Sequence, residues 1–395
     1  MRTSNARRLA ASLILLAASA ACHENKKFDP TAGLPDCGTD APFTVAPLAD
    51  ASIRGLNPLG NLNPPGHTFP TDHMYLYLAI TGTTGVADIA PITVPGEGRI
   101  VSLTASQHLS ASPVFTDWGL VFMPCKQLQI NFGHVATLSS AIMAALGGNI
   151  PDSNCQTYST GGQEFKNCYE QTKIDLHAGD PLGTAGGNPG QLALDMGAFD
   201  SRITPLVWAD PTLTRQSPDG FDDFHVVCPV DYFAAGPKAA LEARIGSFDG
   251  STPRTVPPIC GTVDQDVVGT AQGRWFVPGT TSLSPEDPHL ALVHDNVDPT
   301  FGTFSAGTTT SAFNGTFHFT PATTGNVNLD FNLVTPAAGM VCYDVTVGSG
   351  GAGGTPAGSV LVQMSSPTDL KIGRVASPCG TGPWTFTAGA KSFVR

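Results

Sequence analysis

Charge is scarce in this 395-residue chain: 13% of residues are charged, and acidic side chains outnumber basic ones 32 to 20, for a net −12. No basic cluster occurs beyond the first few residues, which argues against a nucleic-acid partner. Past the leader, no stretch reaches 18 consecutive apolar residues, so no membrane-spanning helix is expected. There is no Cys-x-x-Cys pair, which speaks against a structural zinc knot. No serine sits in a Gly-x-Ser-x-Gly elbow, so a serine triad is not supported either.

Turn residues, by contrast, are abundant. The 44 glycines and 33 prolines together approach a fifth of the chain, and they separate short β-branched runs. That texture predicts an all-β (β-rich) protein, and the length predicts two domains rather than one core.

The first residues read as an export leader. Arg2, Arg7 and Arg8 precede the apolar run Leu9–Ala18, and Ser19-Ala20-Ala21 leads into Cys22. This resembles a bacterial lipoprotein signal, which implies cleavage after residue 21 and a lipid on Cys22. The expected location is the bacterial cell envelope as a membrane-anchored lipoprotein, touching the membrane only through that lipid, with plain secretion as the alternative. Eight further cysteines allow up to four disulfides of open connectivity, with Cys155/Cys168 and Cys342/Cys379 placed for local pairing.

Residues 22–56 are polar and weakly patterned and read as a tether with one anchored cysteine, Cys37. Residues 57–200 read as a first β domain, with strand-like runs at Met74–Ile80, Ala90–Val94, Arg99–Ala105, Gly119–Pro124, Leu128–Phe132 and Gln191–Phe199. One interval, His134–Leu146, is Ala/Leu/Met-rich and predicts a helix. Residues 201–258 read as a connector with a helix over Pro237–Ile245. Residues 259–395 read as an antiparallel β sandwich or barrel, with strand signals that include Arg274–Val277, Val327–Val334, Met340–Val347 and Trp384–Thr387.

The densest group of ligand-type residues is Gly66-His67-Thr68-Phe69-Pro70-Thr71-Asp72-His73, which runs straight into an apolar strand. Two imidazoles and a carboxylate within seven residues suit a metal site. The same residues also suit turn caps, His134 suits a packing role, and Asp195 suits a turn or salt bridge.

Taken in order, four pieces resemble the lysostaphin-type zinc endopeptidases, whose sheet is a duplicated hybrid motif. They are His67…Asp72 before a strand, the turn Val94-Pro95-Gly96-Glu97-Gly98, Asn131-Phe132-Gly133-His134-Val135-Ala136-Thr137-Leu138-Ser139, and His177-Ala178-Gly179-Asp180-Pro181-Leu182-Gly183-Thr184-Ala185-Gly186. The resemblance covers residues 57–200. It implies zinc held by His67, Asp72 or His73, and Asp195, with His134 assisting catalysis. One departure is plain: the family's His-x-His strand is replaced by Ala193 and Asp195. The resemblance therefore implies a peptidase-like domain with a degenerate catalytic set, binding cell-envelope glycan or peptide or an envelope protein. Its alternative is a working zinc metallo-endopeptidase acting on peptidoglycan.

In the last domain Gly273-Arg274-Trp275 resembles the first strand of lipocalin-like barrels, which implies a carrier of an apolar ligand. His289 and His294 lie five residues apart on an expected strand, so they are expected to face opposite sides and to share no metal.

Overall fold

A strand buried on one face alternates apolar and polar side chains, and that alternation builds the first core. The computed structural model describes residues 28–160, 162–217, 221–310, 314–347 and 354–395. The expected leader and Cys22 lie outside the described residues.

The first ten strands are β1 (Ile53–Asn57), β2 (His73–Leu78), β3 (Ala90–Thr93), β4 (Gly98–His108), β5 (Phe115–Cys125), β6 (Leu128–Leu138), β7 (Cys155–Thr160), β8 (Gln163–Leu176), β9 (Pro181–Ala185) and β10 (Ala193–Asp200). They form one antiparallel sheet with the spatial order β1-β2-β10-β6-β5-β4-β8-β7, and β9 joins β3 to β6. Met74, Leu76 and Leu78 of β2, Leu194 and Met196 of β10, and Phe132 of β6 point into the core and are fully buried. The intervening positions form the opposite face, and this face carries the site.

Three expectations are corrected here. From Phe28 onward the supposed tether is packed rather than free: Phe43 is fully buried, and Cys37 is bonded to Cys125. The helix expected from His134 begins later. Strand β6 continues through Leu138 because Val135 and Leu138 still face the core and pair with β9. Only Ser140–Ala145 (α1) is helical, capped by the Ser139 side chain, which accepts from the Ile142 N–H. Val327–Val334 forms no strand; Asp330 caps a single 3-10 turn there instead.

The connector contributes β11 (Gln216–Ser217), β12 (Phe221–Asp222), β13 (Val226–Val227) and the helix α2 (Ala235–Glu242). It packs along β1 and β10 and carries the buried Trp208.

The second sheet runs in simple sequence order: β14 (Gly273–Trp275), β15 (Leu290–His294), β16 (Gly302–Ala306), β17 (Gly315–Phe319), β18 (Met340–Val347), β19 (Thr355–Ser366), β20 (Asp369–Val375) and β21 (Lys391–Val394). Reciprocal backbone hydrogen bonds between Phe276 and Val394, 2.8 Å each, bring the last strand back to the first. The sheet is thus a nearly closed barrel rather than a sandwich. β16 and β21 went unanticipated, and the strand expected at Trp384–Thr387 is irregular chain. Phe304, Phe319, Phe331 and Tyr343 fill the interior with ring centroids 4.7–5.8 Å apart. Trp275 is buried in that core, and the Arg395 guanidinium lies 4.2 Å over its ring.

Four disulfides close the described chain: Cys37–Cys125, Cys155–Cys168, Cys228–Cys260 and Cys342–Cys379. The two local pairings match expectation, and four such bonds fit an exported protein in an oxidising compartment. No helix among the described residues is long and apolar enough to cross a membrane.

Candidate functional site

The site forms where β2, β10 and β6 lie side by side. In register Asp195 sits opposite both Tyr75 and Gly133, and Gly197 sits opposite His73. Paired residues share a face, so His73, Tyr75 and Asp195 project together on the side away from the core. Gly133 leaves room for this carboxylate, since a Cβ there would lie 3.2 Å from Asp195 Oδ2.

His134 reaches the same face through a local irregularity. The β5–β6 register shifts between the pairs Trp118/Val135 and Leu120/Phe132, and His134 adopts φ +59°. A bulge of this kind re-aims a side chain, and left-handed backbone at a non-glycine residue costs on the order of 1 kcal/mol or more. Strand alternation alone would turn residue 134 toward the core.

Each of these two imidazoles is held from behind by a carboxylate. His73 Nδ1–H donates to Asp72 Oδ1 at 2.8 Å, and His134 Nδ1–H donates to Asp117 Oδ2 at 2.8 Å. Both Nε2 atoms then aim at one oxygen, Asp195 Oδ2, from 3.6 Å and 3.5 Å. His73 Nε2 and Asp195 Oδ1 are buried and lack any hydrogen-bond partner. The His67 ring stands edge-on to His73 with centroids 5.6 Å apart. The structure therefore brings His67, His73, His134 and Asp195 together and places Asp72 behind His73. Among the described residues, no group of three or more His, Cys, Asp or Glu side chains has, as it stands, the arrangement to hold a metal ion.

Behind Asp72 lies a buried ion network. Arg215 from the connector donates to Asp72 Oδ2 at 3.0 Å and to both oxygens of Asp223 at 3.2 Å through Nε. The loop carrying His67 is clamped from the barrel side, where the Phe69 N–H donates to Glu286 Oε2 at 3.0 Å and the Phe69 ring stacks on His289 at 5.5 Å. His289 precedes β15 and His294 ends it; the latter pairs with Asp330 at 3.1 Å, so the two serve separate contacts.

Electrostatics follow from these contacts. Burial lowers the His67 pKa to about 4, aided by the charge on His73, so His67 is neutral. Burial opposes charge on His134, but Asp195 and Asp117 overcome it and raise the pKa to about 9. His73 is also raised, Asp195 and Asp72 outweighing its desolvation. Burial pushes the Asp195 carboxyl up, against the pull of His134 and His73. For Asp72, Arg215 and the His73 hydrogen bond overcome burial and hold the pKa at about 2.

A pH dependence follows for the metal-free protein. Because the folded pKa of His134 lies above its ordinary 6.5, its pairing stabilises fully below pH 6.5, and the contribution is lost as pH rises through about 9. The ring is 40% exposed, so after solvent screening the effect is about 1–2 kcal/mol. Urea unfolding at pH 6 and pH 9.5 is expected to show this loss in wild type and a flatter profile in His134→Gln; parallel profiles would contradict it.

A cleft of about 290 Å³ opens beside the cluster, lined by His73, His134, Asp195, Asp117, Thr104 and Ser106 among others. Sequence reading had missed Asp117, Arg215, Asp223 and Glu286. Asp117 could have been found from β5, where a lone acid interrupts an otherwise uncharged strand. The other three act across distances that no local pattern reports. His177 lies outside the cluster, exposed and paired with Glu97. Comparison with protein-family models, curated proteins and solved structures finds no match for this chain.

Proposed function

We propose that this exported protein is a metal-assisted hydrolase whose substrate is a peptide or glycan of the cell envelope. One observation carries the reading: two carboxylate-oriented imidazoles converge on a single carboxylate at the edge of a cleft. Those donors suit a zinc-type cation, because two Nε2 atoms and a carboxylate are its usual ligands and a carboxylate at each Nδ1 is the usual outer support. The orphaned His73 Nε2 and Asp195 Oδ1 fit the same group. His73, His134 and Asp195 would hold it, and when bound it supplies Lewis-acid polarisation of a carbonyl and an acidified water.

The chain's own residues perform the remaining work. Asp72 and Asp117 fix the tautomers, leaving both Nε2 atoms facing the cleft. His67 stays neutral beside His73, so it adds no positive charge next to the converging imidazoles. Tyr75 lies buried on the same strand face beside His73, with ring centroids 4.8 Å apart, and backs the cluster.

A second reading, binding without turnover, is favoured by Ala193. This residue occupies the site face of β10 opposite Tyr77, where the resemblance would put a histidine, and it offers no proton-transfer group.

Zinc titration by calorimetry, followed by incubation with purified peptidoglycan sacculi, decides between them. The hydrolase reading expects one zinc per chain and chelator-sensitive release of free amino groups, for a peptide bond, or of reducing ends, for a glycosidic bond. Retention on sacculi with no release would establish the binding reading, and neither retention nor zinc uptake would defeat both.

A further inference from the structure

The face that carries the site does not end at the cleft. Register places Ser106 of β4 beside Asp117 and Asn167, and His108 beside Phe115 and Phe165. Across the last strand pair, Gln156 lies beside Asn167 and Tyr158 beside Phe165. One continuous sheet surface therefore runs from Asp195 across β6, β5, β4 and β8 to the outermost strand, β7. A trough of about 810 Å³ lies along its outer half and shares Thr104 with the cleft at the site.

The outer end of that surface is aromatic. His108 stacks on Phe115 at 4.3 Å and 18°, Phe165 meets His108 edge-on at 4.9 Å, and Tyr158 stacks on Phe165 at 5.5 Å and 18°. Tyr158 is 44% exposed and the adjacent Val114 56%. Rings held in register on four strands form an apolar platform rather than a core, because the core lies under the opposite face; the platform turns by 72° between His108 and Phe165, and Tyr158 at its outer end is exposed. Next to the platform the side chains are amides and hydroxyls. Asn167 Nδ2 donates to the Tyr158 hydroxyl at 3.3 Å, while its Oδ1 is buried with no partner. Cys155–Cys168 ties β7 to β8 beside it and holds these positions fixed.

From this placement we propose that β4, β5, β8 and β7 form a binding surface for a neutral sugar chain, with a pyranose ring stacked on the Tyr158/Phe165 platform and the chain directed along the trough toward Asp195. A sugar ring presents an apolar C–H face and a rim of hydroxyls, and this surface presents aromatic faces beside amide groups. The paired positions on this face from Asn167 outward to Tyr158 carry no formally charged residue, and Asp117 beside Ser106 and Glu170 in the trough are acidic, so phosphate-bearing chains and anionic lipid gain nothing there. Continuity with the site through Thr104 gives the surface its place: it holds a polymer at a distance from the reacting bond.

The surface stands independently of the chemistry at Asp195, and its test keeps the two apart. Chitohexaose and cellohexaose are titrated into the full chain by calorimetry, alongside Tyr158→Ala, Tyr158→Phe, Asn167→Ala and Glu97→Gln, the last an exposed residue paired with His177 outside the site, with circular dichroism confirming the fold of each. The expected result is binding of at least one hexasaccharide, weakened tenfold or more by Tyr158→Ala and severalfold by Asn167→Ala. Tyr158→Phe retains most of the affinity, and Glu97→Gln leaves it unchanged. Absence of binding to both sugars, or equal affinity of wild type and Tyr158→Ala, overturns the proposal. Partition into phosphatidylglycerol vesicles that Tyr158→Ala abolishes, without sugar binding, overturns it in favour of a lipid surface.

Discussion

Asp195→Asn is expected to lower the release of amino groups from sacculi at least 100-fold and to weaken zinc binding at least tenfold, while the protein still folds. Among the described residues, the Asp195 carboxylate is the acid that both His73 Nε2 and His134 Nε2 face. Asparagine keeps its size and one acceptor oxygen but removes the charge that a divalent cation requires. Loss of that charge also removes the leading favourable influence on both imidazoles, so their pKa values fall toward the ordinary range. Zinc calorimetry and the amine-release rate measure the two effects together. A variant that hydrolyses sacculi at the wild-type rate would show that Asp195 is a structural acid and that the chemistry lies elsewhere.

The second large effect concerns stability. Arg215→Ala is expected to destabilise the protein by about 3–5 kcal/mol, the usual consequence of removing one partner from a buried ion cluster. Asp72 and Asp223 have side chains 2% and 3% exposed, and both depend on this guanidinium. The pH profile gives the mechanism away. In wild type the Asp72 pKa is depressed to about 2, so its pairing stabilises above the unfolded carboxylate value and is lost only as pH falls through about 2. Without Arg215 the two carboxylates favour protons, so the defect is greatest at neutral pH and shrinks as pH drops below about 4. Urea unfolding of wild type, Arg215→Ala and Arg215→Ala/Asp223→Asn tests this, the double variant recovering part of the loss. Equal losses at pH 7 and at about pH 2.5 would show that packing, not charge, carries the effect.

The fold was legible wherever alternation was simple. β2, β4 and β10 follow from runs with an apolar face, β5 from a continuous apolar run, and Cys155–Cys168 from cysteines that bracket a polar hairpin, while Cys342 and Cys379 share the last domain 37 residues apart. His134 marks where that reading stopped. Its Ala-rich continuation has the composition of a helix, and pairing of Val135, Thr137 and Leu138 with β9 keeps it in the sheet; a partner strand so far along the chain leaves no trace in the local pattern. Asp195 was singled out by its place in a motif, but its convergence with His73 depends on the antiparallel register of β2 and β10. Arg215 was invisible for a different reason: a single arginine in a weakly patterned connector gives no hint that two buried acids await it.

The clamp on Phe69 bears on when the site comes into being. The hydrogen bond from Phe69 to Glu286 spans 217 residues, and Phe69 also packs against Phe276, Ala291 and Val293 on the outer wall of the barrel. That wall is complete only once β21 has returned to Phe276. A chain emerging from its N-terminus therefore carries His67 on an unanchored loop until almost the last residue has been added. The candidate site on the first sheet thus takes its full anchoring from the closing of a barrel that contributes none of its converging side chains.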